Sequence, residues 1–141
     1  MLLCTANKWV DMRLLLVEDD VMVASGIKLG LTDAGYAVDW VGSGERAEEV
    51  LRTESFDAAI IDIGLPAMDG YQLARELRRR HGKAELLLVA VTGYGQKQDY
   101  VRAMEAGFDH HFVKPVDPAE LEAVICAQRG HEGGSESTLA R

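Results

Sequence analysis

The sequence predicts an α/β domain whose parallel sheet is covered by helices on both faces. Two observations predict it. Between residues 13 and 128, short unbroken apolar runs alternate with stretches of helical periodicity, and strands buried on both faces read as such runs. The runs also end in residues that carry chemistry, namely Glu18-Asp19-Asp20, Asp62, Thr92 and Lys114. An open parallel sheet binds its ligands outside the carboxyl ends of its strands. At 141 residues, with 48% hydrophobic and 27% charged, the chain is long enough for one domain with a core.

The first strand is read at Arg13 to Val17. The helix after it spans about Val21 to Ala34, because Val23, Ile27 and Leu31 recur at helical spacing and Gly35 supplies a stop. Gly30 within it costs some stability. A second strand, Ala37 to Val41, leads through Ser43-Gly44 into a helix with Ala47, Val50 and Leu51 on one face. The third strand is Ala58 to Asp62, and its helix starts near Asp69-Gly70 and buries Leu73, Ala74 and Leu77. The fourth strand, Leu86 to Val91, precedes a helix over about Gln96 to Ala106 with Tyr100, Val101 and Met104 inward and Gly107 as its end. The fifth strand is His111 to Val113. Asp117-Pro118, an N-cap before a first-turn proline, opens a last helix presenting Leu121, Val124 and Ile125. Residues 1–11 stand outside this plan as an N-terminal extension, 12–129 form the domain, and 130–141 read as a flexible tail.

Charge and composition exclude several classes of function. A formal net charge of -8 argues against nucleic-acid backbone binding, which depends on neutralising phosphates with Lys and Arg. The local basic run Arg75, Arg78, Arg79, Arg80, His81 and Lys83 closes a helix, where cations complement the dipole on a solvated face. Cys4 and Cys126 lack metal spacing and read as lone thiols, Cys126 as a small buried hydrophobe. No stretch has the length of a membrane span, and the expected location is cytoplasmic.

The acidic end of the first strand sets the chemistry. Three crowded carboxylates repel one another unless a cation neutralises them, and a hard, oxygen-preferring ion such as Mg²⁺ (or Mn²⁺) is the natural partner. In a doubly wound sheet the first and third strands are neighbours, so Asp62 should face Glu18 and Asp19. Thr92 and Lys114 then bring a hydroxyl and an ammonium to the same edge. Together these groups form a phosphoryl-transfer site. Asp62 is the nucleophile, Glu18 and Asp19 hold the metal, Lys114 pairs with the phosphoryl group and Thr92 donates to it. Singly, Thr92 reads as a strand-end cap, Lys114 as a surface lysine and Asp62 as a helix cap; jointly those readings need four coincidences.

Leu-Leu-Val-Glu18-Asp19-Asp20, Asp62-x-x-Leu65-Pro66-x-Met68-Asp69-Gly70, Val91-Thr92-Gly93 and Lys114-Pro115 together resemble the receiver domain of two-component response regulators, over about Met12 to Gln128. The resemblance implies a flavodoxin-like fold with strand order 2-1-3-4-5 and five helices on two faces. It also implies that Asp62 accepts a phosphoryl group from a histidine kinase or phosphotransfer protein. The Gly64 backbone carbonyl would complete the metal ligands, and the Lys114-Pro115 bond would be cis. The family's switch position, commonly Tyr or Phe, is His111 here, which admits coupling to pH as well as simple aromatic substitution. By the family's register Asp20 starts the loop to the first helix, where capping or solvent exposure suffices to explain it. Gly64 and Tyr94 flank the pocket and tune the lifetime of the phosphoryl group in opposite directions. Kinase identity would depend on the first helix, on residues such as Val23, Ile27 and Lys28.

The expected output is a changed surface over the fourth helix, fifth strand and fifth helix, read by a partner protein, in a monomer or weak dimer without membrane or nucleic-acid contact. Too few residues follow Lys114 for an output domain, so a free-standing receiver, or one cut from a hybrid kinase or larger regulator, is expected. Two other readings compete with it: a pseudo-receiver that binds partners without phosphorylation, and a phosphohydrolase with Asp62 as covalent nucleophile. The receiver reading expects no turnover enzyme, only self-phosphorylation and dephosphorylation.

Overall fold

The structure, a computed structural model, describes residues 12–64, 70–82, 85–93 and 97–133. The extension at residues 1–11, the motif residues Leu65, Pro66, Met68 and Asp69, the flanking Tyr94 and residues 134–141 lie outside these. Strands β1 (Arg13–Val17), β2 (Ala37–Val41), β3 (Ala58–Asp62), β4 (Leu87–Thr92) and β5 (His110–Val113) alternate with helices α1 (Val21–Asp33), α2 (Gly44–Thr53), α3 (Gly70–Arg80), α4 (Lys97–Ala106) and α5 (Pro118–Gly133). The sheet order is β2-β1-β3-β4-β5, and every pairing is parallel. α5 extends four residues past the point where the tail was expected to begin.

Period-two alternation divides the strands between two cores. Leu15, Val17, Ala59, Ile61, Leu88 and Ala90 face α2, α3 and α4, where Leu51, Leu77 and Ala103 meet them. Their neighbours Leu14, Leu16, Ala58, Ile60, Leu87 and Val89 face α1 and α5, against Ile27, Leu31, Leu121 and Ile125. Gly35 (φ 105°) and Gly107 (φ 112°) end α1 and α4 in left-handed backbone, which glycine adopts without a Cβ penalty. Gly30 has a packing reason for its cost in helix propensity: a Cβ there would lie 2.5 Å from the Pro118 Cβ. Its absence lets α1 and α5 approach.

Four expectations are corrected. Tyr100 and Val101 are 52% and 44% exposed, and α4 instead buries Ala103 and Ala106 with Met104 packed beside them. Small residues bring this helix close to the sheet and leave the larger ones outside. Ile27 belongs to the core at 3% exposure, so the outer surface of α1 is carried by Val21, Met22 and Leu29, together with Lys28. Arg78 is no solvated cation: its guanidinium donates to the Gly107 and Leu86 carbonyls and pairs with Asp109 at 2.8 Å. Cys126 is disulfide-bonded rather than a lone thiol; pairing depends on tertiary proximity that spacing does not encode.

Candidate functional site at the carboxyl edge of the sheet

Register brings the strand ends level. Val17 pairs with Ile61, Asp62 with Val91, and Thr92 with Val113, so the residue after β1, the last of β3, the last of β4 and the residue after β5 share one edge. Glu18 and Asp62 are buried there, at 1% and 6% exposure, while Asp19 is exposed. Carboxylate oxygens of Glu18, Asp19 and Asp62 all lie within 4.8 Å of one another. Thr92 is buried at the same edge. Lys114 Nζ stands 3.3 Å from Glu18 Oε1 and 3.4 Å from Asp62 Oδ2, and its amide donates to the Thr92 carbonyl at 2.8 Å. The Lys114-Pro115 bond is cis.

The backbone holds these groups in place. Glu18 N donates to the Val41 carbonyl, and Glu18 Oε2 accepts from the Asp20 amide at 3.1 Å. Asp20 turns away to cap α1, accepting from the Met22 and Val23 amides, which separates its role from that of its two neighbours. Asp62 Oδ1 accepts from the Gly64 amide at 3.1 Å. Trp40 Nε1 donates to the Glu18 carbonyl at 2.7 Å.

Electrostatics report crowding of like charge. Burial, and then the charge on Asp62, push the Glu18 carboxyl up to about 7. Burial works against the Lys114 ammonium, but Asp62 and Glu18 outweigh it and hold its pKa above the ordinary value. A set of three hard oxygen donors, one made reluctant to ionise by burial and by the charge on Asp62, fits a divalent cation such as Mg²⁺, whose charge would offset both effects.

His111 lies on β5 opposite Ala90. Its ring meets Tyr100 edge-on at 5.9 Å between centroids, and Nε2 is buried without a hydrogen-bond partner among the described residues. Burial lowers its pKa, with Asp99 opposing part of that shift. A half-buried imidazole set edge-on against Tyr100 occupies the place of an aromatic ring.

A cavity of about 340 Å³ opens at this edge, lined by Asp62, Gly64, Thr92 and Lys114, and also by Tyr71, Asp99 and Arg102. The last three were absent from the sequence reading, as was Trp40. Arg102 sits ten residues past Thr92 on α4, and only the docking angle of that helix brings it to the cavity.

Residues 14–126 match the family described as response regulator receiver domain. The chain is 35% identical over 130 residues to the transcriptional regulatory protein QseB of Escherichia coli O157:H7, covering 92% of this chain and 58% of that protein. It is 39% identical over 116 residues to the response regulator protein PmrA of Pseudomonas aeruginosa, covering 82% and 52%. It thus spans just over half the length of these relatives. A crystal structure of a putative response regulator from Chloroflexus aurantiacus J-10-fl superposes with a TM-score of 0.74 at 34% identity, over 83% of this chain and 98% of that one.

Proposed function

This chain belongs to the response regulator receiver family, and from that membership we propose that it is a phosphoacceptor switch of a two-component phosphorelay. The observation that carries the reading is the buried Asp62 with the Lys114 ammonium 3.4 Å from its carboxylate, inside a trio of acids. A carboxylate oxygen of Asp62 attacks the phosphorus of a phosphohistidine on a histidine kinase or phosphotransfer protein. The new O–P bond forms as the P–N bond breaks, and the imidazole leaves. Glu18, Asp19, Asp62 and the Gly64 carbonyl would hold Mg²⁺, which when bound offsets charge on the phosphoryl oxygens. Lys114, already ionised, transfers from the carboxylates to the phosphoryl group, and the Thr92 hydroxyl donates to it. His111 then takes up the space that Thr92 leaves.

The output is a shift between two surface states of α4, β5 and α5, a face on which Tyr100, Val101 and Val113 are exposed. The exposed apolar residues of α1, Val21, Met22 and Leu29, suit a kinase helix. The chain acts as an acceptor and not as a turnover enzyme. Incubation with Mg²⁺ and a small phosphodonor is expected to load about one acid-stable, base-labile phosphoryl group per chain, lost in Asp62→Asn and in chelator. Wild-type chain that stays unlabelled with every donor would favour a pseudo-receiver, and repeated turnover of an organic phosphate would favour a hydrolase.

A further inference from the structure

The cavity beside Asp62 has a second cation. Arg102 reaches it from α4 and lies over the Tyr71 ring, with its guanidinium carbon 4.3 Å from the ring centroid. Among the described residues its side chain has no carboxylate partner, and it is exposed. Tyr71 is itself buried, at 5% exposure, and donates to the Asp99 carbonyl at 3.4 Å. The ring is therefore a fixed platform and the guanidinium is the mobile partner. Cation–π attraction at an exposed site is weak, and guanidinium is the preferred partner of phosphate oxygens.

Resting on the reading of Asp62 as acceptor, we propose that Arg102 is a second phosphoryl-binding cation, parked on Tyr71 until Asp62 is phosphorylated. Phosphorylation replaces one negative charge on Asp62 with up to two on a group that extends into the cavity. Lys114 is already shared between Glu18 and Asp62. The added charge draws Arg102 off the ring, and because Arg102 stands on α4 the movement is passed to that helix. The site and the surface would then be joined through one side chain, separately from Thr92 and His111.

The test titrates wild-type, Arg102→Ala, Arg102→Lys and Arg46→Ala chains with BeF₃⁻ at saturating Mg²⁺, reading bound fluorine and the α4 amides by NMR. Arg102→Ala is expected to weaken binding about three- to tenfold and to shrink the α4 shifts, with Arg102→Lys in between, as befits a partly exposed charge-assisted contact. Arg46, exposed on α2 and paired with Glu49, should leave affinity unchanged. Equal affinity of Arg102→Ala and wild type overturns the inference, as does an equal loss in Arg46→Ala. Wild-type chain that takes no BeF₃⁻ overturns the reading of Asp62 itself, and this inference with it.

Discussion

At Glu18 a single buried side chain sets how stability depends on pH. It is the most buried of the acids at the site, and that burial, with the charge on Asp62 second, pushes its carboxyl up to about 7 from an ordinary 4.5. In the unfolded chain the proton leaves near the ordinary value, so between the two values the folded state holds more protons. The contribution is complete at low pH and is lost as pH rises through the folded value. In chelator, the wild-type chain should therefore become less stable from acid towards about pH 8, and Glu18→Gln should raise Tm by about 4–8 °C at the upper end with little effect at the lower. With Mg²⁺ present the order should reverse, because the variant lacks a ligand. Thermal melts at two pH values, with and without the ion, check both signs; a variant no more stable than wild type in chelator at high pH would refute the account.

At the scale of elements, Arg78 fastens three of them. From α3 it donates to the Leu86 carbonyl ahead of β4 and to the Gly107 carbonyl after α4, and it pairs with Asp109 ahead of β5. Asp109 in turn accepts from the Leu88 amide at 2.9 Å. Both side chains are largely buried, at 16% and 12% exposure, so removing the cation strands a carboxylate and two carbonyls away from water. Arg78→Met should cost about 2–4 kcal/mol in urea unfolding, whereas Arg79→Met, whose pair with Glu76 is exposed, should cost under about 0.5 kcal/mol. Equal costs would show the junction to be as solvated as the arginine run suggests in sequence.

For the whole molecule, the parallel register makes one edge of the sheet collect charge, and a ligand there should stabilise the fold as a unit. Mg²⁺ at a hundred times its Kd should add about 2.7 kcal/mol to stability. Trp40, bonded to the Glu18 carbonyl, is placed to report the same event. In a Trp9→Phe background its fluorescence should change with Mg²⁺, and Asp19→Asn should abolish both the spectral and the thermal response. No change in either signal would place the divalent ion elsewhere.

Much of this was legible in the sequence. Strand-length apolar runs, helical periodicity and glycine stops depend on near neighbours, so all five strands and helices could be read from them, with boundaries displaced by a residue or so and α5 read short. Glu18, Asp19, Asp62, Thr92 and Lys114 were legible because each lies at a strand's end, and parallel pairing brings such ends together. What only the tertiary structure decided concerns side chains whose surroundings come from other elements. Arg78 looked like a solvated charge until β4 and the α4–β5 turn packed over it. Tyr100 looked like core until Ala103 and Ala106 brought α4 down on its other side. Arg102 and Tyr71 share a cavity with Asp62 because of how α3 and α4 dock. Local pattern specifies what an element is and which end of it carries chemistry; the angle at which elements meet depends on packing between distant segments, and that angle decides which side chains share a site.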